Sequence, residues 1–128
     1  MGLHRHLIAA ACAALLTGAG ASGQPGQPYV DSYPVEALAR VLGELHALDF
    51  ACQGRQAQVW RDTMLELLEH EAPTRGGYRD RLIEGFNAGF QTRQRERIRC
   101  GAEAEMVERS LAARGRSLSE QLRLEYLE

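Results

Sequence analysis

The sequence predicts an all-α fold, an antiparallel four-helix bundle with one disulfide. Apolar residues recur at intervals of three and four along four successive segments, and no segment shows the alternation of a β-strand. Short connections separate the segments, and short loops join antiparallel neighbours. Cys52 and Cys100 stand where the first and third segments are expected to end.

The first helix is predicted to run from Pro34 to about Gln53. Proline suits the first helical turn, where the main-chain N–H has no helical partner. Gly54 suits the left-handed conformation that closes many helices. The stripe expected to face the core consists of Val35, Leu38, Leu42, Leu45, Asp49 and Cys52, widened by Val41 and Leu48.

The second helix is predicted over residues 56–71, with Pro73 ending it. Its core side is expected to carry Trp60, Met64, Leu67, Leu68 and Glu71. If Trp60 belongs to the core, its truncation to alanine should cost about 3–5 kcal/mol.

The third helix is predicted over residues 78–99 and the fourth over residues 102–127. The third carries its apolar residues mainly at four-residue steps, namely Leu82, Phe86 and Phe90, joined by Ile83 and Ile98. Glycine destabilises a helix interior, so Gly115 is the weak point of the fourth. The stripe of the fourth consists of Ala104, Val107, Leu111, Leu118, Leu122 and Glu125.

An up-down-up-down bundle places the ends of its first and third helices at one pole. Cys52 and Cys100 are therefore predicted to form an intramolecular disulfide, the default for two cysteines in an oxidising compartment. Closing a loop of this length stabilises the fold by about 4 kcal/mol in the chain-entropy model.

Residues 1–21 are predicted to be a signal peptide. A basic start, a short apolar run and small residues ending in Ala19-Gly-Ala21 favour export and cleavage. The run is about half the length that crosses a membrane, so no stable membrane anchor is expected. Lipidation of Cys12 is the alternative, although the residues before it make a poor lipobox. The mature protein is expected in the periplasm.

Residues 22–33 are rich in Gly, Gln and Pro and are predicted to form a flexible leader to the four-helix domain, residues 34–128. The whole chain carries 15 basic and 17 acidic residues. A nucleic-acid-binding domain is usually strongly basic, so no nucleic-acid partner is expected.

Two histidines, His46 and His70, follow the predicted signal peptide. A metal site needs three or four convergent ligands, so no metal and no cofactor are expected. No Ser-x-x-Lys, Gly-x-Ser-x-Gly or C-x-x-C pattern is present, and the catalytic residues, if any exist, are unknown.

Five residues form a candidate ligand cleft: Trp60, Arg61, Phe86, Asn87 and Phe90. Aromatic rings stack on sugars or peptides, and an amide hydrogen-bonds in both directions. The alternative places the three aromatic residues in the core and has Asn87 bracing a loop.

Gly85 and Gly89 lie four residues apart on the third helix. Small residues at this spacing let a second helix approach closely. The second helix can belong to this chain or to a second copy, so a homodimer stays open.

Alternating arginines end the third helix, and acidic residues open the fourth. They are Arg93, Arg95, Arg97 and Arg99, followed by Glu103, Glu105 and Glu108. One interpretation is a charge-matched pole, and the other is a site for an anionic envelope ligand.

Several short patterns in this order resemble a known family: Leu42-Gly-Glu-Leu-His46, Cys52, Val59-Trp-Arg61 with Met64, Glu71-Ala-Pro73, Phe86-Asn-Ala-Gly-Phe90 and Cys100. The chain resembles, over about residues 33–124, an uncharacterised family of small exported alphaproteobacterial proteins with a domain of unknown function. The resemblance implies an exported helical protein tied to envelope biology, with no catalytic or binding residues to transfer.

We therefore expect an exported helical binding or adaptor module of the bacterial cell envelope. Its partner is expected to be an envelope protein or polymer. The alternative is an envelope-acting enzyme, related to peptidoglycan or other glycans, whose site is assembled from scattered acids.

Overall fold

A computed structural model describes residues 33–128. Four helices follow one another: α1 (Pro34–Gln53), α2 (Val59–Glu71), α3 (Gly77–Glu96) and α4 (Ala102–Leu127). Between residues 33 and 128 there is no strand, and the predicted all-α bundle is confirmed. The predicted signal peptide and all of the predicted leader except Tyr33 lie outside the described residues.

The bounds of α1 and α4 agree with the sequence prediction, whereas α2 begins later than residue 56. The segment before it forms a turn in which Ala57 N–H donates to the carbonyl of Gly54 at 3.1 Å. The side-chain amide of Gln58 donates to the carbonyl of Arg55 at 2.7 Å. These local hydrogen bonds compete with helical ones, so the helix begins at Val59.

The third helix is shorter than predicted. It ends at Glu96 because Arg97 adopts a left-handed conformation with φ of 49°. Ile98, assigned to this helix from the sequence, therefore lies in the connection to α4, and so does Cys100.

Helix α1 is the central element of the bundle. It packs against each of the other three helices, whereas α2 and α3 contact each other only slightly. Among these four helices, α4 has no Cα atom within 8 Å of α2 or α3. From Val35 to Leu48 every residue of α1 is buried except Leu38 and Arg40, which are half-buried. The bundle is thus organised around one enclosed helix.

Two apolar clusters form the core around α1. The larger comprises Val35, Ala39, Leu42, Met64, Leu68, Ala72, Leu82 and Leu122. The smaller comprises Val41, Leu45 and Leu111. Trp60 packs against both clusters and so connects them from the side of α2.

Helices α1 and α3 meet backbone to backbone at three glycines. A β-carbon on Gly43 would lie 1.9 Å from the carbonyl oxygen of Phe86, and one on Gly89 would lie 2.1 Å from that of Arg40. A β-carbon on Gly85 would lie 3.3 Å from the carbonyl oxygen of Glu36. The helix that Gly85 and Gly89 approach is therefore α1 of the same chain.

Two ion pairs border this glycine contact. Glu36 and Glu44 of α1 are buried, with exposed fractions of 5% and 6%. Arg81 of α3 pairs with Glu36 at 3.0 Å, and Arg93 of α3 pairs with Glu44. The same order of residues along both helices shows that α1 and α3 are parallel.

The predicted disulfide is confirmed. Cys52 at the end of α1 and Cys100 before α4 are joined by an S–S bond of 2.08 Å, with their Cα atoms 5.6 Å apart. Both cysteines are exposed, so the bond closes the pole of the bundle from outside.

Candidate functional site

A groove opens between α2 and α4, because both helices pack against α1 while their own Cα atoms stay more than 8 Å apart. We call it the α2–α4 groove. Its volume is about 850 Å³. Sites that bind small molecules or parts of macromolecules often enclose about 300–1,000 Å³, so the groove is large enough to hold a ligand.

The floor of the groove is an apolar stripe of α1, formed by Leu38, Val41, Leu42 and Leu45. These positions follow the spacing i, i+3, i+4 and i+7, which puts them on one face of a helix. Val41 is fully buried and Leu38 is half-buried. The floor is therefore narrow, and Leu38 is its most accessible point.

The two walls differ in the size of their side chains. On α2 the wall is formed by Trp60, Thr63, Glu66, Leu67 and His70. On α4 it is formed by Ala112, Gly115, Arg116, Ser119, Glu120 and Arg123. Next to the floor, the α4 wall has Ala112 and Gly115, while the α2 wall has the large side chains of Trp60 and Leu67. The α4 wall therefore has less side-chain bulk than the α2 wall.

The rims of the groove carry charges of both signs. Glu66 and His70 are exposed on α2, and Arg116, Glu120 and Arg123 are exposed on α4. Arg123 donates to Glu120 at 2.6 Å, and this hydrogen bond lowers the pKa of the Glu120 carboxyl. A ligand that spans the groove therefore meets acidic and basic groups on either side of an apolar floor.

A hydrogen bond joins the ends of α2 and α4 beyond the groove. The hydroxyl of Tyr126 donates to Glu71 Oε2 at 2.5 Å. This bond, together with slight burial and the nearby carboxylate, raises the pKa of Tyr126 to about 12. Tyr126 therefore stays protonated and continues to donate across the physiological pH range.

Of the five residues in the predicted cleft, Trp60 lines the α2–α4 groove. It is half-buried, and its indole N–H is buried without an acceptor among residues 33–128. Arg61 and Asn87 are exposed. Phe86 and Phe90 are half-buried and pack against α1. The groove walls therefore include neither these two residues nor Arg61 and Asn87.

Phe86 and Phe90 belong to an aromatic cluster around His46. The His46 ring lies 5.7 Å from that of Phe86, 5.4 Å from that of Phe90 and 6.1 Å from that of Phe50. Burial lowers the pKa of His46, and the positive charge of Arg61 lowers it further. Its Nδ1 atom is buried without a hydrogen-bond partner in the described part of the chain. This cluster was not among the features predicted from the sequence.

Two of the four arginines at and just beyond the end of α3, Arg93 and Arg99, pair with acids of the same chain. Arg93 pairs with Glu44 and, at 2.5 Å, with Glu96. Arg99 pairs with Glu103 at 3.3 Å. These contacts favour the charge-matched pole over a site for an anionic ligand.

Neither a metal-ion site nor a membrane-spanning helix is found among residues 33–128. In this range no group of three or more His, Cys, Asp or Glu residues is arranged to hold a metal ion. None of the four helices has the length and the apolar composition that crossing a membrane requires.

A comparison with protein families places the chain in a family. The family described as "Protein of unknown function (DUF2385)" matches residues 28–126, which covers α1, α2, α3 and all but the last residue of α4. No curated protein and no solved structure matches the chain. The match confirms the resemblance to an uncharacterised family and contributes no site residues.

Proposed function

Since the chain belongs to DUF2385, a family of proteins of unknown function, its role has to be inferred from its own surface, and we propose that it is an exported binding module of the bacterial cell envelope. The partner is an envelope protein that presents an amphipathic helix, and the helix occupies the α2–α4 groove. The observation that carries this proposal is the groove itself, with its apolar floor and charged rims.

The length of the groove suits a short helix. Its walls extend from Trp60 to His70 on α2 and from Ala112 to Arg123 on α4. At 1.5 Å per residue each wall is about 16 Å long, which is about three helical turns. Recognition of an amphipathic helix in an apolar groove is a recurring mode of binding, with anchors at i, i+3, i+4 and i+7. Together with α1, α2 and α4, a helix in this position would form a four-helix arrangement.

The charges of the rims also favour a helix over a lipid. The head group of an anionic lipid would be attracted by Arg116 but repelled by Glu66 on the opposite rim. The flanks of an amphipathic helix carry acids and bases at separate positions, so each can face a rim residue of opposite sign. Electrostatic complementarity of this kind fixes the orientation of the partner more than it adds affinity.

Export rests on the sequence of residues 1–21, which supports a cleavable signal peptide. Fractionation of cells that produce the chain tests this directly. The proposal requires the processed protein in the periplasmic fraction, and an unprocessed chain in the cytoplasm would contradict it.

Two exposed serines of α4 allow the groove to be tested with a matched control. Ser119 lines the groove, whereas Ser117 is exposed and does not line it. We would replace each in turn with a photoreactive amino acid and irradiate intact cells that produce the chain. We expect a covalent adduct with another protein from position 119 and none of comparable yield from position 117.

The peptide attached at position 119 identifies the occupant. The proposal requires a segment of an envelope protein with apolar residues at helical spacing. A second copy of this chain, a lipid, equal yields from both positions or no adduct from position 119 would each contradict it.

A further inference from the structure

Gly115 differs from the glycines that join α1 and α3. At Gly43 and Gly89 a β-carbon would collide with a main-chain oxygen of the opposite helix. At Gly115 a β-carbon would lie 3.6 Å from Val41 Cγ1 and 3.9 Å from Leu38 Cδ1. These are ordinary van der Waals distances, so the packing of the chain itself does not require glycine at this position.

Glycine in this position nevertheless weakens the helix. It lies in the interior of α4, and only proline is less favourable in a helix interior. Alanine would fit the space, would be more favourable in the helix and would add contacts to Val41 and Leu38. The internal packing of the domain therefore gives no reason for glycine at position 115.

The space above Gly115 lies within the α2–α4 groove, beside Ala112 on the same wall and Val41 on the floor. We infer that Gly115 determines the specificity of the groove, by leaving a recess that receives one large apolar side chain of the bound helix. This inference rests on the proposed function, since it assumes that a helix occupies the groove.

The recess defines the chemistry of the bound helix. The residue facing Gly115 has an aliphatic or aromatic side chain, because a β-carbon at Gly115 would meet Val41 and Leu38. The nearby Ser119 hydroxyl already donates to the Gly115 carbonyl at 2.9 Å. Insertion of such a side chain between residues of the opposing helices is the knobs-into-holes packing of helical bundles. Side chains that fill a pocket of this kind contribute a large share of the binding energy.

The test combines Gly115→Ala with the photoreactive residue at position 119. The added methyl group is expected to raise the melting temperature by about 4 °C, because alanine favours the helix. The same methyl group fills the recess, and overpacking of this kind should lower the yield of the partner adduct by about tenfold. Stability and binding are thus expected to change in opposite directions.

Ser117→Ala provides the matched control. It also replaces a residue of α4 by alanine, but it lies outside the groove. The adduct yield from position 119 should therefore stay unchanged in this variant.

The possible outcomes separate this inference from the proposed function. If the partner adduct forms in the original chain and keeps its yield in Gly115→Ala, the groove binds a helix but Gly115 does not select it. If Gly115→Ala lowers the melting temperature, the recess has a role in the fold, and the inference is wrong. If no partner adduct forms from position 119 in the original chain, both the proposed function and this inference fail.

Discussion

The carbonyl oxygen of Arg40 lies so close to the α-carbon of Gly89 that a β-carbon there would be only 2.1 Å away. The contact joins the backbones of α1 and α3, neither of which can move aside without disturbing the rest of its helix. Interiors of proteins are close-packed and transmit such displacements. The parallel pair α1 and α3 is therefore the rigid part of the bundle, on which α2 and α4 are held.

Three glycine-to-alanine variants should follow the space available to each β-carbon. Gly89→Ala should destabilise the fold by about 3 kcal/mol or more, because it forces two backbones apart. Gly85→Ala should have a smaller effect, since its closest contact is 3.3 Å. Gly115→Ala should be stabilising. Denaturant unfolding of the three variants measures the order, and any other order would contradict the close approach.

The buried pair of Glu44 and Arg93 should be more costly to break than to remove. Glu44→Ala removes one of the two acidic partners of the half-buried Arg93 and leaves Glu96 as the other, which should cost about 1–3 kcal/mol. The double variant Glu44→Leu with Arg93→Met removes both charges and should recover most of this loss. A double variant as unstable as Glu44→Ala alone would mean that packing, not charge, dominates at this position.

Removal of the disulfide should act mainly on the unfolded chain. Both cysteines are exposed, so replacing Cys52 and Cys100 by serine leaves no cavity in the core. The two residues are 48 apart in sequence, and releasing such a loop should lower the free energy of unfolding by about 4 kcal/mol. Calorimetry of the double serine variant measures this loss. A single-cysteine variant is not a suitable control, because its remaining thiol can form a disulfide-linked dimer.

The stability of the domain should fall in mild acid because of His46. Burial lowers its pKa in the folded state below the usual 6.5, so the unfolded chain binds the proton more readily. The contribution of His46 is fully present above pH 6.5 and is lost as the pH falls through its folded-state pKa. Unfolding measured between pH 7 and pH 5 should therefore show decreasing stability.

Two variants separate this effect from other titrations. His46→Leu should remove the part of the pH dependence that begins below the usual histidine pKa. His70→Gln, at an exposed position on the groove rim, is the matched control for the loss of one histidine. A pH dependence that survives in His46→Leu would assign the effect to other groups.

Much of the fold is predictable from local patterns. Pro34 and Gly54 mark the ends of α1, and Gly101 marks the start of α4, because each suits only a few backbone conformations. The pairing of Cys52 and Cys100 followed from helix order. The end of α3 was wrong by a few residues, because the left-handed conformation of Arg97 has no signal in its residue type.

The central position of α1 could not be predicted from its apolar stripe. Glu36 and Glu44 lie outside that stripe, and their burial is accompanied by ion pairs with arginines of α3. Gly43 was not recognised as a contact, because its role depends on the backbone of Phe86, far away in sequence. The α2–α4 groove depends on the distance between two helices, which no local pattern determines. Its one sequence signal was Gly115, an unfavourable residue in an otherwise regular helix.

The most direct test of the proposed binding uses Trp60, the single tryptophan of the chain and part of the groove wall. The partner segment identified from the adduct at position 119 would be synthesised as a peptide and titrated into the purified protein. Binding in the α2–α4 groove predicts that the Trp60 emission shifts to shorter wavelength and becomes less accessible to acrylamide. Binding that leaves both the emission and the quenching of Trp60 unchanged would place the peptide elsewhere and contradict the account.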